Sequence, residues 1–161
     1  MPVPDFIVDL RRKVGHAELW LPGVTAVVRR VDEILLVRRS DNGAWTPVTG
    51  IVDPGEQPAT AARREVFEET GVTVEVDRLA WVNAGPPVVH ANGDRARYLD
   101  HCFSCRYVEG DAYVADDESI DVGWFTISDL PAMRDIFRQR IACALQDDGP
   151  ARFERLSFCD D

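Results

Sequence analysis

Apolar positions in the first part of the chain change from helical spacing to short continuous runs. From Asp5 to Val14 the apolar residues recur three or four positions apart and Gly15 follows, which predicts a short leading helix. Two apolar runs then follow, Val24–Val28 and Ile34–Val37. They flank the short connection Val31-Asp32-Glu33, so this segment is predicted to be a β-hairpin.

The second part of the chain alternates one more helix with further strands. Pro58 suits a first helical position, and the helix is predicted to run to about Thr70, with Gly71 just beyond its end. Strands are predicted for Val72–Val82, Arg97–Val108 and Ile120–Thr126. The apolar stripe of a last helix is formed by Met133, Ile136, Phe137, Ile141, Ala144 and Leu145. The pattern therefore predicts an α/β fold.

Length and charge limit the classes of function. The sequence has 161 residues, and single domains cluster near ~100–150, so we predict one domain over 1–161. Residues 1–20 are expected to form an N-terminal extension, and 146–161 a C-terminal tail. The net charge is −10, and Lys13 is the only lysine. Because such a chain repels a phosphate backbone, we expect no nucleic-acid partner, and action on phosphates would suggest a bound metal.

The cysteines and the chain start indicate a compartment. Charged side chains interrupt Met1–Leu21, so no secretory leader is recognised, and no apolar run approaches the ~20 residues of a membrane-spanning helix. We expect reduced thiols, a cytoplasmic protein and no membrane partner. Cys102 and Cys105 form the only tight cysteine pair, and buried strand thiols are favoured over a zinc or redox pair because no second pair exists.

The most informative residues are three glutamates on the second predicted helix. Glu65, Glu68 and Glu69 stand at i, i+3 and i+4 and therefore share one helix face. A glutamate-rich face is ordinarily a solvated surface. Like charges at this density repel one another unless a cation compensates them, and carboxylate oxygens suit Mg²⁺ or Mn²⁺. Arg64 is a built-in counter-charge within reach of Glu68 and Glu56, so a bidentate pair would join helix and loop.

The segment from Gly50 to Val72 resembles the Nudix box. That pattern is Gly, five residues, Glu, seven residues, Arg-Glu, an aliphatic residue, any residue, Glu-Glu, any residue, Gly and an aliphatic residue, and every specified position matches. The resemblance implies a Nudix-type α/β/α sandwich with a mixed β-sheet. It also implies a metal-dependent pyrophosphohydrolase that cleaves a nucleoside diphosphate linked to another group.

The resemblance also assigns roles to residues. Glu65, Glu68 and Glu69 would be catalytic and would bind Mg²⁺, or Mn²⁺, together with the backbone carbonyl of Gly50. Glu56 and Arg64 would be structural. The family commonly adds a carboxylate from a distant loop, and Glu118, just before the Ile120–Thr126 strand, is the candidate for this catalytic role, although a solvated loop explains it almost as well.

The substrate is less constrained than the chemistry. A small-molecule nucleotide is expected, with ADP-ribose or a related nucleotide sugar favoured, because ADP-ribose-type members often carry a proline about fifteen residues past the box and Pro87 lies there. Alternatives are a (deoxy)nucleoside triphosphate pyrophosphatase of the 8-oxo-dGTP sanitising type and a non-catalytic nucleotide sensor. Thr49, where many sanitising members have glycine, disfavours the former.

Several residues near the expected cleft have two interpretations. Trp45 is compatible with stacking on a base or with packing in the core. Arg38 and Arg39 are compatible with phosphate contacts or with an ordinary surface, and stay outside the catalytic set. A homodimer is compatible with the resemblance, with the C-terminal aromatic and aliphatic residues docking on the domain or on a second subunit. These residues are Phe153, Leu156 and Phe158.

Overall fold

The fold is given by a computed structural model that describes residues 4–90, 92–146 and 149–153. The helices are α1 (Asp5–Val14), α2 (Pro58–Thr70) and α3 (Asp135–Ala144). The strands are β1 (Leu19–Arg30), β2 (Glu33–Arg39), β3 (Trp45–Thr46), β4 (Val48–Ile51), β5 (Thr73–Ala84), β6 (Val88–Val89), β7 (Arg95–Glu109) and β8 (Ser119–Thr126). A 3₁₀ turn, Ile127–Asp129, follows β8. The predicted helices and strands are confirmed, except that α3 begins after Met133. The short strands β3, β4 and β6 lie in segments where the pattern predicts loop.

The strands form one mixed sheet in the order β3-β2-β1-β7-β5. β1 and β7 pair in parallel, whereas β4 pairs with β1, β6 with β7, and β8 with β2, all antiparallel. β1 pairs with β2 only at Arg29–Arg30 and then continues along β4. The sheet therefore divides beyond this short pairing, with β2, β3 and β8 on one side and β1, β4, β7 and β5 on the other.

Among the described residues, two of the three buried apolar clusters cover opposite faces of the sheet, and the third packs Ile7 of α1 against Leu21 and Ala96. The core beneath α2 contains Val24, Ala26, Val28, Leu35, Val37, Val48, Val52, Ala61, Ala62, Val66, Val72, Val74, Phe103 and Cys105. The core beneath α3 contains Val27, Ile34, Leu36, Ala80, Trp81, Cys102, Ile141, Cys143 and Ala144. Since side chains alternate across a strand, neighbouring residues of β1 and β2 enter different cores. The predicted α/β/α sandwich is confirmed.

The cysteine positions follow from the same alternation. Cys102 is buried on the α3 side and Cys105 on the α2 side, both as free thiols. Burial raises the pKa of both thiols. Thiols on opposite faces of a sheet cannot share one zinc ion, so core packing accounts for this pair. In the part of the chain that the structure describes, no helix is long and apolar enough to cross a membrane.

A buried ion pair joins α3 to the sheet. Nε of Arg140 lies 3.3 Å from Oδ2 of Asp100, and Nη1 of Arg140 donates to Oγ1 of Thr25 at 2.9 Å. Thr25 in turn donates to Oδ1 of Asp100 at 2.9 Å. Burial is the main cause of the raised pKa of Asp100, which Arg140 partly opposes. The ion pair therefore compensates part of the hydration free energy that these two charges lose on burial.

Candidate active site

The α2 helix places carboxylates at the edge of a buried face. The helix begins at Pro58 and ends at Thr70. Gly71, the residue after it, has a left-handed φ of 70° and donates its N–H to the carbonyl of Phe67. Glu65 and Glu69 follow the buried Ala61 at four-residue intervals, so they lie on the same stripe and are 6% and 4% exposed. The side chain of Glu68, one position to the side, is 39% exposed. Two of the three glutamates are therefore nearly removed from water.

The Glu65 carboxyl lies against Gly50 of β4. A Cβ added at Gly50 would stand 2.1 Å from Cδ and 2.3 Å from Oε1 of Glu65. No side-chain atom tolerates such a distance, and Glu65 is too buried to move aside freely. Gly50 is therefore required for the close approach of strand backbone and carboxylate.

Arg64 links the helix to the preceding loop. Its Nε and Nη2 donate to Oε1 and Oε2 of Glu56 at 2.9 and 2.8 Å. Its Nη1 donates to Glu65 at 2.9 Å and to Glu68 at 3.0 Å, and Nη2 reaches the carbonyl of Ile51 at 3.2 Å. One guanidinium thus fixes the loop–helix geometry and partly compensates the carboxylates. These Glu56 bonds also lower the pKa of Glu56.

The acidic loop before β8 is tied to the C-terminal end of α2. The N–H groups of Tyr113 and Ala115 donate to the carbonyls of Thr70 and Glu69, each at 3.1 Å. These bonds satisfy carbonyls that have no partner within the helix. They also bring the following residues of the loop close to the site, where the charge of Glu118 adds to the effect of burial in raising the pKa of Glu69.

Burial and mutual repulsion favour the protonated carboxyls. Burial raises the pKa of Glu65 to about 7, although Arg64 opposes the shift. Burial also raises the pKa of Glu69 to about 8, with further contributions from the charges of Glu118, Glu65 and Asp116. Near neutral pH these groups consequently hold protons that a bound cation would displace.

The donor set fits a hard divalent cation. Carboxylates of Glu65, Glu68 and Glu69 and the carbonyl of Gly50 supply only oxygen ligands, and the glycine leaves room for a carboxylate beside its backbone. Across the described ranges, no three acidic, histidine or cysteine side chains are already gathered as a metal centre. Glu65 and Glu68 are instead both bonded to Arg64, so they would have to share or exchange that bond when a cation binds.

Comparison with known proteins identifies the family. The NUDIX domain family model matches residues 19–145, most of the chain. The chain belongs to the Nudix family. A MutT-like protein from Streptomyces ambofaciens is 34% identical to this Nudix hydrolase over 125 residues, which cover 77% of the chain and 75% of that protein.

Other relatives cover this Nudix hydrolase to different extents. The NAD-capped RNA hydrolase NudC from Citrobacter koseri is 32% identical over 115 residues, covering 70% of this chain and 41% of NudC. The chain thus spans about two fifths of that relative's length. Among solved structures, an ADP-ribose pyrophosphatase from Streptococcus suis has a TM-score of 0.62, with 22% identity, covering 83% of this chain and 98% of that one. At this identity the likeness shows the fold alone.

The structure adds a residue to this Nudix site that the sequence did not single out. Ser119 is buried, and its Oγ donates to Oε2 of Glu69 at 3.5 Å. A lone serine beside an acidic run carries no signal in the sequence. Trp45 packs edge-on against Phe125, with ring centroids 4.7 Å apart, in the α3-side core, which supports its packing interpretation. Leu156 and Phe158, expected to dock, lie outside the described residues.

Proposed function

We propose that this Nudix hydrolase is a Mg²⁺-dependent pyrophosphohydrolase that cleaves a nucleoside diphosphate linked to another group, with ADP-ribose or a related nucleotide sugar as the favoured substrate. The observation that carries the proposal is the burial of two carboxylates on one stripe of α2, Glu65 against Gly50 and Glu69 one turn further on. Two carboxylates that are removed from water and lie beside a third destabilise the folded protein when no cation is bound. A divalent cation would compensate their charge.

Each residue has a proposed task. Glu65, Glu68, Glu69 and the Gly50 carbonyl would hold Mg²⁺ or Mn²⁺. When bound, the ion would lower the pKa of an attacking water and neutralise charge on the phosphoryl oxygens. The carboxylate of Glu118 would accept the proton of that water as general base, since its loop is fixed beside Glu69.

The remaining box residues, Arg64 and Glu56, would hold the site in a fixed geometry. Arg64, paired with Glu56, would keep the loop and helix in register so that the metal-binding oxygens stay at fixed positions. It is a positioning residue in this proposal, because its bonds lead to other protein groups. A homodimer, a cytoplasmic location and the absence of a nucleic-acid partner remain predictions. Sedimentation of the purified chain with and without RNA tests the first and the third, and fractionation of cells tests the location.

One feature of the chain supports the favoured substrate: Pro87, whose position is the reason to expect an ADP-ribose-type member, lies in the segment between β5 and β6. A second candidate, a nucleoside triphosphate, is favoured by the MutT-like relative, which is matched over three quarters of its length. The two candidates differ in the products: a nucleotide sugar yields two phosphate monoesters, whereas a triphosphate yields a nucleoside monophosphate and pyrophosphate.

The test is hydrolysis of a nucleotide panel with Mg²⁺, with products separated by chromatography. Glu69→Gln should lower kcat by roughly 100-fold or more, because it removes a carboxylate from the buried cluster. Glu75→Gln is the matched control: this glutamate is 61% exposed and pairs with Arg106 on β7, so its loss should leave kcat unchanged. A wild type inactive on the whole panel would contradict the proposal and favour the sensor.

A further inference from the structure

Arg39 lies where the divided sheet meets the acidic site. It is the last residue of β2, and it pairs with Ser119 of β8. Ser119 is the residue whose hydroxyl donates to Glu69. The next residue, Ser40, donates its N–H to the carbonyl of Glu118 at 2.8 Å. The end of β2 is therefore bonded directly to the segment that carries Glu118.

A bulge produces this pairing. Arg38 pairs with Asp121, but Arg39 pairs with Ser119, so Ile120 is an additional residue of β8 without a counterpart in β2. Ile120 is 56% exposed, whereas Ser119 is buried. Such bulges often redirect a side chain beside a functional site. By strand alternation, Arg39 faces the same side as Leu35 and Val37, which is the α2 side.

Asp41 holds the Arg39 side chain in a fixed orientation. Nε and Nη2 of Arg39 donate to Oδ1 and Oδ2 of Asp41 at 3.0 and 2.9 Å. Backbone bonds between Arg39 and both Gly43 and Ala44 close the turn that carries Asp41. A guanidinium has five N–H donors, so this contact occupies one edge of it and leaves donors for a second, bidentate partner.

The surrounding carboxylates favour a positively charged side chain at this position. The bond to Asp41 raises the pKa of Arg39, and the carboxylates of Glu118 and Glu69 raise it further against the effect of burial. A phosphate entering this acidic region meets repulsion from the carboxylates, in a chain whose net charge is −10. A fixed guanidinium at the same position offsets that repulsion and matches phosphate geometry.

We propose that Arg39 is a substrate-binding residue whose guanidinium contacts a phosphate of the nucleotide, and that Asp41 is the positioning residue that presents it. The inference rests on the proposed function, because it names the group that receives the substrate of that site. The structure favours Arg39 over Arg38 for this contact with the phosphate. Arg38 is exposed, donates through Nε to the carbonyl of Gly43 and pairs with Trp45 on the α3 side of the sheet.

The experiment compares Arg39→Gln and Arg39→Lys with the matched control Arg38→Gln in the full chain. For hydrolysis of ADP-ribose with Mg²⁺, Arg39→Gln should lower kcat/KM by about 10- to 100-fold, since a charge-assisted bond to the substrate is lost. Arg39→Lys keeps the charge without the fork and should recover part of the loss. Arg38→Gln should stay within about threefold of wild type, the size expected for an exposed charge.

A second measurement separates this inference from the proposed function. Binding of inorganic pyrophosphate is followed by calorimetry in excess EDTA, where no metal contributes. Wild type and Arg38→Gln should bind about equally and Arg39→Gln about 10-fold more weakly. If the wild type hydrolyses nothing but the binding difference is present, the proposed function fails and the Arg39 inference stands. If hydrolysis is normal but Arg39→Gln matches Arg38→Gln in kcat/KM and in binding, or if wild type binds no pyrophosphate, the inference is overturned.

Discussion

The burial of Glu69 predicts that the metal-free protein loses stability as the pH rises. Burial raises the pKa of Glu69 to about 8 and that of Glu65 to about 7, whereas a glutamate in the unfolded chain titrates near 4.5. Between these values the folded state retains protons that the unfolded state has released. The free energy of unfolding therefore falls as the pH increases from about 5 to about 8, and both contributions are fully present only below about 4.5.

The magnitude follows from the proton count. Over one pH unit a retained proton corresponds to about 1.36 kcal/mol, so Glu69 contributes about 4 kcal/mol between about pH 5 and 8, and Glu65 contributes about 3 kcal/mol between about pH 5 and 7. Mg²⁺ would bind the ionised form and should oppose part of the loss, because a ligand at about 1,000 times its dissociation constant stabilises by about 4 kcal/mol. The destabilisation should therefore be visible in EDTA and partly reversed by Mg²⁺ at about pH 8.

Urea unfolding, followed through the fluorescence of the four tryptophans, measures the effect. Stability is determined at about pH 5 and about pH 8, in EDTA and in Mg²⁺. Glu69→Gln cannot ionise at this position, so its stability in EDTA should fall less with pH than that of wild type. Glu75→Gln should keep the wild-type slope. A metal-free wild type whose stability is constant or rises over this range, or a Glu69→Gln slope equal to wild type, would refute the reasoning.

Three further substitutions test the packing around the site and beneath α3. Gly50→Ala places a Cβ 2.1 Å from a buried carboxyl carbon and should cost about 1–3 kcal/mol and roughly 100-fold in kcat/KM, whereas Gly23→Ala, with its nearest contact at 3.4 Å, should cost less in both assays. Arg64→Lys cannot bridge the same acceptors and should lower the free energy of unfolding by about 2 kcal/mol; an unchanged urea midpoint would show that the bridge is dispensable. Arg140→Met leaves Asp100 buried without its ion-pair partner and should cost about 3–5 kcal/mol in urea unfolding, a result contradicted by a loss below about 1 kcal/mol.

Local signals in the sequence were sufficient for most of the fold. The ends of α2 are marked by Pro58 and Gly71, residues that favour those positions, and apolar runs predicted the longer strands, whereas the short strands β3, β4 and β6 have no such run. The bonds of Arg64 to Glu56 and Glu68 were also accessible, because the separations are short and the charges opposite. These features depend on neighbours along the chain, so pattern and spacing reach them.

Contacts between distant residues were not accessible in this way. The ion pair between Arg140 and Asp100 connects positions 40 apart across the α3-side core, and an arginine on an amphipathic helix usually indicates an exposed face. The expected helix start at Met133 also missed the boundary, because Met133 packs into that core from the segment before Asp135. Tertiary packing, rather than helical spacing, determines both positions.

The distinction between Arg38 and Arg39 shows why a complete motif still left the substrate side of the site open. Adjacent arginines at a strand end look equivalent in a sequence, and only strand alternation assigns them to different faces. A regular antiparallel register would nevertheless pair Arg39 with Ile120, an apolar residue with no role at an acidic site. The additional residue in β8 replaces that partner with Ser119 and brings the Glu118 backbone onto Ser40. The box therefore specifies the carboxylates on α2, whereas alternation along β2 places Arg39 on their side of the sheet and the one-residue shift in β8 gives it Ser119 as its partner.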